Sequence, residues 1–547
     1  MEPNGEAITE EKDCSANGPS QRKRDKSNSI LTGIRSERQT DRSVVDTLLS
    51  ILDKQIIDAY PSMSVSVRLR ALSRSMSDMG SNHLRDSSAP LTDAEIRSFA
   101  GIPENPENVA PSYATLLNRR LLDADDLLSD AAPRESVPLR IAIVSLLFNW
   151  PSTGGGIVHT TELAQFLSLD GNDVCHFFAV YEPWSVGAVT ESLPYNSCAI
   201  YFCEQSWNRE GIHTAFQNAV DSFQPDAVIV TDSWNSKGLL ASAVSNHPYF
   251  LRLAAMECIC PLNNVRLLAD RESGIRQCRK SQLSTREECL SCVKINAHSS
   301  GSLHADEREL VGFGEDAFYP ELRQAFANAE AILVVNPLIG ALCEPFAKDV
   351  RVIPSGFDAR RFDNLPDRNF GEGGYRILFA GLMHELMKGF HVMFEACCRL
   401  WDVRQDFELH VTADPDTYEA PFLRYRGWKN QSDLPALMAE CDIVVVPTIA
   451  QEALGRTAVE AMGAARPVVA SRIGGLPFTV IDGVTGLLFE PGDPADLAAC
   501  LERLMSNREY AVSLGVAGRE RFLAEHTWDH VIASKYRSMF AAIRSRS

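Results

Sequence analysis

Apolar residues follow three different patterns along the chain, and each pattern covers its own part of the sequence. Residues 1–42 are polar, charged and low in aromatic side chains, which predicts a disordered tail. Between residues 43 and 136, apolar residues recur at helical spacing, beginning with Val45, Leu48, Leu49 and Leu52. This spacing predicts a helical extension, either an appendage packed on the main body or an arm for dimerisation or partner docking.

From residue 137 onward, short apolar runs alternate with amphipathic segments. The runs "RIAIVSLLF", "DAVIVTD" and "AILVVN" are typical of buried strands, and "TTELAQFLSLDGNDV" is typical of a helix. Strands that alternate with helices predict a parallel, doubly wound sheet. A polar linker over residues 363–374 interrupts this rhythm, which then restarts with "YRILFAG", "FELHVTA" and "DIVVVPT". We therefore expect an α/β protein with two Rossmann-like domains, residues 137–366 and 367–526, and a closing helix over residues 527–547.

Composition narrows the possible partners and compartments. The chain has 547 residues, 45% of them hydrophobic, and a formal net charge of −19. Such an acidic balance argues against nucleic acid and against anionic lipid as partners. The sequence has no run of about 18 apolar residues and no signal-like N-terminus, so we expect no transmembrane segment and a cytoplasmic protein. The 14 cysteines are then expected to be thiols or metal ligands.

Two glutamates at the end of one predicted strand suggest a ligand site. In "DIVVVPTIAQEALGRTAVEAMG", Glu452 lies in the loop after the strand, and Glu460 lies on the helix that follows. The helix start offers backbone amides near Gly455, Arg456 and Thr457 that can hold a diphosphate. Glu452 can accept hydrogen bonds from sugar hydroxyls, and Glu460 can chelate a ribose diol. This arrangement suits a nucleotide sugar.

Two other loops are expected at the same cleft, because ligands of open α/β sheets bind beyond the carboxyl ends of the strands. Lys388 precedes a predicted helix and can neutralise the diphosphate from the other side. In the first domain, Gly154, Gly155 and Gly156 lie between a strand and a helix and permit close approach of a ligand. The glycines do not form GxGxxG, so a dinucleotide site is only weakly indicated.

The chain from residue 137 to its end resembles the retaining glycosyltransferases of the GT-B fold, family four, also called group 1. The resemblance covers about three quarters of the sequence and is carried by the glycine loop, "VIPSGFDARRF", "GLM" followed by "KG", "EAMGAARPVVAS", "GGLPF" and "DGVTGLLFEPGD". The spacing of Glu452 and Glu460 within "QEALGRTAVEAMG" is its strongest part.

The resemblance implies a role for each matching residue. Glu452 would bind the transferred sugar and Lys388 would stabilise the leaving diphosphate, and these two are the catalytic candidates. The donor-binding candidates are Gly155 and Gly156 at the phosphate or acceptor, Trp428 against the base, the amides of Leu454, Gly455, Arg456 and Thr457 around the phosphate, and Glu460 on the ribose. The diphosphate itself can take the acceptor's proton, so the resemblance implies no dedicated nucleophile and no metal for the chemistry.

Three positions depart from the family pattern. Leu382 stands where the family usually has an arginine that binds phosphate, and Arg456 is the candidate to compensate. Ala254 or a neighbour stands where the family often has a histidine that touches the sugar. Phe478 replaces a frequent glutamate. These departures concern activity and sugar identity, whereas the expected fold does not depend on them.

Four cysteines form a separate candidate site. Cys260, Cys278, Cys289 and Cys292 are spaced C-x17-C-x10-C-x2-C. A CxxC pair with two further thiols is compatible with a structural zinc that would brace an insert beside the acceptor site. A plain set of thiols is the competing interpretation.

These observations lead to one main hypothesis and two alternatives. The main hypothesis is a retaining hexosyltransferase-type enzyme that moves a sugar from a UDP- or GDP-linked donor to an acceptor hydroxyl. A catalytically weak nucleotide-sugar-binding regulator or scaffold is the first alternative. An epimerase or phosphorylase of similar fold is the second. The sequence does not identify the acceptor, and the N-terminal helices are a candidate interface for a homo-oligomer.

Overall fold

The computed structural model describes residues 138–152, 154–270, 274–297 and 300–544. The tail expected over residues 1–42, the helical extension expected over 43–136 and the dimerisation arm lie outside these described residues. Within them the chain forms two parallel sheets, each covered by helices on both faces. The expected α/β class with two Rossmann-like domains is confirmed.

The first sheet has seven strands in the order β3-β2-β1-β4-β5-β8-β9. Every strand pair in it is parallel. The five residues of β4 are all buried, as expected for a parallel sheet with both faces covered. The strands are β1 (Arg140–Ser145), β2 (Asp173–Val180), β3 (Asn196–Tyr201), β4 (Ala227–Thr231), β5 (Tyr249–Leu253), β8 (Ala331–Val334) and β9 (Val350–Val352).

Helices connect these strands and cover the sheet. Two of them begin at asparagine N-caps: Asn208 accepts from the Gly211 amide, and Asn336 accepts from the Ile339 amide. The helices are α1 (Gly155–Leu169), α2 (Arg209–Phe223), α3 (Lys237–Ala243), α4 (Arg286–Ile295), α5 (Ser302–Leu310), α6 (Phe318–Asn328) and α7 (Pro337–Cys343). Helix α4 and an antiparallel hairpin of β6 (Leu267–Asp270) and β7 (Gly274–Gln277) form an insert between β5 and α5.

The second sheet has six strands in the order β12-β11-β10-β13-β14-β15, again all parallel. Its strands are β10 (Tyr375–Phe379), β11 (Phe407–Val411), β12 (Leu423–Tyr425), β13 (Ile443–Val446), β14 (Val468–Ser471) and β15 (Gly486–Phe489). Its helices are α8 (Phe390–Trp401), α9 (Leu434–Ala439), α10 (Arg456–Gly463), α11 (Leu476–Thr479), α12 (Pro494–Met505) and α13 (Arg508–Arg521).

The last helices return to the first sheet. Helices α14 (Trp528–Val531) and α15 (Arg537–Arg544) are linked by a π-helical turn. The buried side chains of Trp528, Tyr536 and Phe540 join the core formed by β1 and α1, where Ile141 and Leu163 lie. The end of the chain thus covers a face of the first sheet that would otherwise leave apolar side chains in water.

The chain therefore crosses between the sheets twice, near residue 357 and near residue 527. The two crossings are bonded to each other: the Phe357 amide donates to His526 O at 2.8 Å, and the Trp528 amide donates to Phe357 O at 3.0 Å. Among the described residues, no helix has both the length and the apolar character that crossing a bilayer requires.

Candidate active site

Lys388 and Glu452 meet at the carboxyl edge of the second sheet. Lys388 follows β10 and Glu452 follows β13, and these strands are parallel neighbours. Their loops therefore leave the same edge of the sheet, and Lys388 Nζ lies 3.4 Å from both carboxylate oxygens of Glu452. The structure thus brings together the two residues that the sequence singled out as catalytic candidates.

Backbone contacts fix the lysine loop against the loop of Glu452. The Ile449 amide and the Thr448 hydroxyl both donate to Met387 O, at 2.9 and 2.8 Å. Gly389 has φ of 72°, and a Cβ there would stand 1.9 Å from Pro447 O. Only glycine fits this close approach with this backbone conformation.

The segment from Glu452 to the first turn of α10 is also fixed by packing and by a backbone hydrogen bond. Gly455 has φ of 76° and precedes α10, where the amides of Arg456 and Thr457 occupy the first turn. Amides in a helix's first turn have no partner within the helix, so they can bind an anion. Leu454 is buried, and the Gly475 amide donates to Glu452 O at 2.6 Å.

The surroundings of Lys388 and Glu460 shift the pKa values of both side chains. The Glu452 carboxylate raises the pKa of Lys388 above its usual value, which favours the protonated amine. Glu460 is 2% exposed, and burial raises its pKa, while Arg456 and Arg361 act in the opposite direction. Among the described residues, Glu460 Oε1 has no hydrogen-bond partner.

The glycine loop of the first sheet lies against this assembly. A Cβ at Gly155 would stand 3.0 Å from Arg456 Cδ, so the loop after β1 contacts the start of α10. A Cβ at Gly156 would stand 3.7 Å from both Ala254 Cβ and Asp232 Oδ1. The glycine loop therefore lies beside Arg456 at the start of α10 and beside Asp232 at the end of β4.

Asp232 was not singled out from the sequence, although it lies at the carboxyl end of β4 beside Gly156. It is buried, its φ is 35°, and it accepts a hydrogen bond from Ser145 Oγ at 3.0 Å. Burial raises its pKa to about 6. Its position after the apolar run "AVIVT" is a signal that could have marked it, because loops at this edge face the ligand.

Glu162 and Arg361 were also missed. Glu162 Oε2 lies 3.2 Å from Arg456 Nη2 and accepts from Trp528 Nε1 at 3.2 Å. Arg361 lies 3.7 Å from Glu162 and 3.6 Å from Glu460. Glu162 sits within an ordinary amphipathic helix, so no local pattern distinguishes it from a surface acid.

Trp428 lies immediately after Gly427, beyond the carboxyl end of β12, and its side chain is 50% exposed. It is therefore on the same edge of the second sheet as the other candidates. An exposed aromatic face at this edge is available to a flat ligand group.

The zinc hypothesis for the four cysteines is not supported. Cys260, Cys278 and Cys292 do come close together, but they pack with Leu262 and Leu268 as an apolar cluster. No group of His, Cys, Asp or Glu in the described part of the chain has an arrangement that could hold a metal ion.

The insert that carries these cysteines nevertheless touches the candidate site. Gln277 at the end of β7 donates to Ile449 O. Gln451, next to Glu452, donates to Cys278 O at 3.0 Å and to Gln277 Oε1 at 3.2 Å. The insert therefore supports the loop of Glu452 through side-chain amide hydrogen bonds.

Two parallel Rossmann-like sheets that share a loop-lined cleft define the GT-B fold, and solved structures agree. Sucrose-phosphate synthase from Thermosynechococcus elongatus aligns with a TM-score of 0.51 and 18% identity, over 74% of this chain and all of that chain. HepE from Anabaena, solved in complex with UDP and glucose, aligns with a TM-score of 0.50 and 14% identity over the same shares.

Sequence comparison matches part of the chain to one family. Residues 374–507 match the family model described as Glycosyl transferases group 1. An uncharacterized glycosyltransferase of Methanocaldococcus jannaschii is 30% identical over 221 residues, 38% of this chain and 59% of that protein. A D-inositol 3-phosphate glycosyltransferase of Corynebacterium kroppenstedtii is 33% identical over 225 residues, 35% of this chain and 49% of that protein.

The matched part of the chain thus spans 49% to 59% of these two relatives. The chain has the fold of these structures, and residues 374–507 are similar to the group 1 glycosyltransferases. The family resemblance expected from the sequence is confirmed.

Proposed function

We propose that this protein transfers a sugar from a UDP- or GDP-linked donor to an acceptor hydroxyl, with retention of configuration at the anomeric carbon. The observation that carries the proposal is the 3.4 Å contact of Lys388 Nζ with Glu452, beside the amide-rich start of α10. A cation, a sugar-binding acid and an anion site lie within reach of one ligand.

Each group has a definite task in this proposal. Glu452 accepts hydrogen bonds from the hydroxyls of the transferred sugar, and Glu460 holds the ribose diol. Lys388 and the amides of Arg456 and Thr457 stabilise the negative charge that grows on the diphosphate as its bond to the anomeric carbon breaks. Trp428 offers its exposed ring to the base.

The acceptor oxygen forms its new bond to the anomeric carbon on the face from which the diphosphate leaves. The acceptor's proton passes to a departing phosphate oxygen, so the atoms balance without a protein nucleophile. The ammonium of Lys388 remains protonated through the step, consistent with the raised pKa that Glu452 gives it. In this proposal the transferred sugar is a hexose, and Glu452 binds its ring hydroxyls.

The test uses the full chain with UDP- and GDP-linked hexoses, beginning with UDP-glucose. Transfer and slow donor hydrolysis are followed by release of nucleoside diphosphate, and the anomeric configuration of the product by NMR. We expect Glu452→Ala to lower turnover about 100-fold or more, because a sugar contact that strengthens in the transition state is lost.

Glu395→Ala is the matched control, since Glu395 is an exposed glutamate that pairs with Arg399 on α8. It should leave turnover unchanged. Wild-type turnover in Glu452→Ala would contradict the site assignment. Donor binding by the wild type without hydrolysis or transfer would instead favour a regulatory or scaffold role, and an inverted product would contradict retention.

A further inference from the structure

Two arginines and two glutamates form a small buried network, here called the arginine pair network, between α1, the first crossing and α10. Its members are Glu162, Arg361, Arg456 and Glu460. Arg361 lies between the two acids, 3.7 Å from Glu162 and 3.6 Å from Glu460. Arg456 pairs with Glu162 at 3.2 Å. The exposed fractions of all four side chains are between 3% and 19%.

Arg456 is directed away from open solvent. Its guanidinium lies 4.3 Å from the ring centre of Phe357, and its Cδ lies against Gly155. Its Nη1 is buried and has no hydrogen-bond partner within the described residues. Arg456 therefore stands between the two loops that are expected to approach the diphosphate. Its Nη1 can still donate hydrogen bonds, and its charge is paired with that of Glu162.

The network as it stands is electrically balanced, with two positive and two negative side chains. A nucleoside diphosphate placed at the start of α10 brings further negative charge, and its ribose takes the carboxylate of Glu460. Among the described residues, Arg361 then keeps Glu162 at 3.7 Å and the carbonyl oxygen of Gln431, and the diphosphate would compete for its charge. In a partly buried site, like charges at this separation repel and unlike charges attract more strongly than in water.

We propose that Glu162 competes with the donor's diphosphate for Arg361 and Arg456, and so sets how tightly the nucleoside diphosphate is held. This inference rests on the proposed function, because it assumes a nucleoside diphosphate at the start of α10. It assigns to the arginine pair the positive charge that the family usually places where Leu382 stands. Glu162 is a positioning residue in this account, since it acts on the ligand through the arginines.

Competition by Glu162 allows the nucleoside diphosphate to leave the site after each reaction. With Glu162 present, the arginines can return to a carboxylate when the diphosphate leaves, so release exposes no unpaired buried cation. Without that carboxylate, Arg456 loses its paired acid and depends on the ligand for a close counter-charge, while Arg361 keeps Glu460. Removing the charge of Glu162 should therefore strengthen diphosphate binding and slow its release, while contacts to base and ribose are unaffected.

The experiment measures the affinity of the full chain for uridine, UMP and UDP, and for the matching guanosine series, by isothermal titration calorimetry. In Glu162→Gln the amide oxygen can still accept from Trp528 Nε1. We expect the Kd for the diphosphate that binds to fall about tenfold, as for removal of one competing charge, and the Kd for the nucleoside to stay unchanged.

Asp170→Asn is the matched control, because Asp170 lies at the end of the same helix and pairs with Arg537, with Arg537 Nε at 3.1 Å. It removes one negative charge and one ion pair without touching the arginine pair network. Its diphosphate and nucleoside affinities should equal those of the wild type.

Weaker or unchanged diphosphate binding in Glu162→Gln would overturn the inference, and so would an equal gain for the nucleoside. If that variant fails to fold, Arg456→Leu replaces it, with an expected tenfold loss confined to the diphosphate; no such loss also overturns the inference. A wild-type chain that binds neither UDP nor GDP would contradict the proposed function itself, whereas binding without these shifts contradicts only the role of Glu162.

Discussion

Asp232 shows how a single side chain acquires unusual properties at the cleft. It is 6% exposed, its backbone lies in the left-handed region, and its carboxylate faces Gly156. Burial raises its pKa to about 6 from an ordinary 3.8, and Glu257 adds to this, while Lys237 and the hydroxyls of Ser145 and Thr160 oppose it. A strained and buried acid beside a ligand loop is more often functional than structural.

The pKa of Asp232 predicts a pH-dependent effect of Asp232→Asn on stability. Since the folded pKa is raised, Asp232 contributes fully to stability below pH 4, and its contribution is lost as the pH rises from about 4 to about 6. Above pH 6 the buried charge destabilises the folded state. We expect Asp232→Asn to raise the free energy of unfolding by about 3 kcal/mol at pH 8 and to leave it nearly unchanged at pH 4.

Urea unfolding at the two pH values measures this difference. An equal effect at pH 4 and pH 8 would mean that the substitution acts through packing or hydrogen bonding and not through the charge. The transfer rate of Asp232→Asn would show whether the buried carboxylate is also needed for the reaction with the acceptor.

Single residues could be predicted where local sequence carries the chemistry. Glu452, Lys388 and Glu460 each sit at a strand end or on the following helix, so their common edge follows from the parallel sheet. Glu162 and Arg456 are 294 positions apart, and nothing in the helical pattern of α1 indicates which of its polar residues meets α10. Such pairs depend on how two sheets are placed, which the sequence pattern alone does not determine.

The strands could be predicted because local sequence carries their pattern as well. Strands such as β4 and β13 are continuous apolar runs because both faces of a parallel sheet are covered, and that pattern is visible in the sequence. The cysteine insert was not predictable in the same way. Its CxxC spacing suggested metal, but Cys292 of α4 packs against an apolar cluster of Cys260, Leu262 and Leu268.

The loop before α8 provides a test at the level of one element. Gly389 and Gly373 both have positive φ, of 72° and 69°, but only Gly389 approaches another backbone atom. Alanine at Gly373 should cost about 1 kcal/mol of unfolding free energy from its left-handed conformation alone. Alanine at Gly389 should cost about 3 kcal/mol or more, because its Cβ would also overlap Pro447 O.

The same pair of variants separates stability from ligand binding. Movement of Gly389 displaces Lys388 from Glu452, so Gly389→Ala should also weaken UDP or GDP binding, whereas Gly373→Ala should not. Chemical unfolding and calorimetric titration measure the two effects. Equal effects of the two variants on both quantities would contradict the contact between the loops of Lys388 and Glu452.

At the scale of the whole molecule, the two segments where the chain crosses between the sheets pack together around Trp528. Trp528 is fully buried where the second crossing ends, stacks on Phe166 of α1 with 5.7 Å between ring centres, and packs on Gly356 of the first crossing. Its indole also donates to Glu162, which holds the arginine pair. One side chain thus joins the core of the first sheet, both crossings and the network beside the donor site.

Substitution of Trp528 tests whether this junction couples stability to binding. Trp528→Ala should lower the free energy of unfolding by roughly 3–5 kcal/mol, because a large buried ring is lost from a packed core. Trp528→Phe keeps most of the apolar contact and removes only the hydrogen bond to Glu162, so it should cost less. In the phenylalanine variant Glu162 no longer accepts from the indole, so its carboxylate can pair more closely with the arginines. The variant should therefore bind the diphosphate more weakly, whereas Glu162→Gln should bind it more tightly. Chemical unfolding and calorimetric titration of both variants measure the two effects. A phenylalanine variant with lowered stability and normal diphosphate affinity would show that the indole fills space without positioning Glu162.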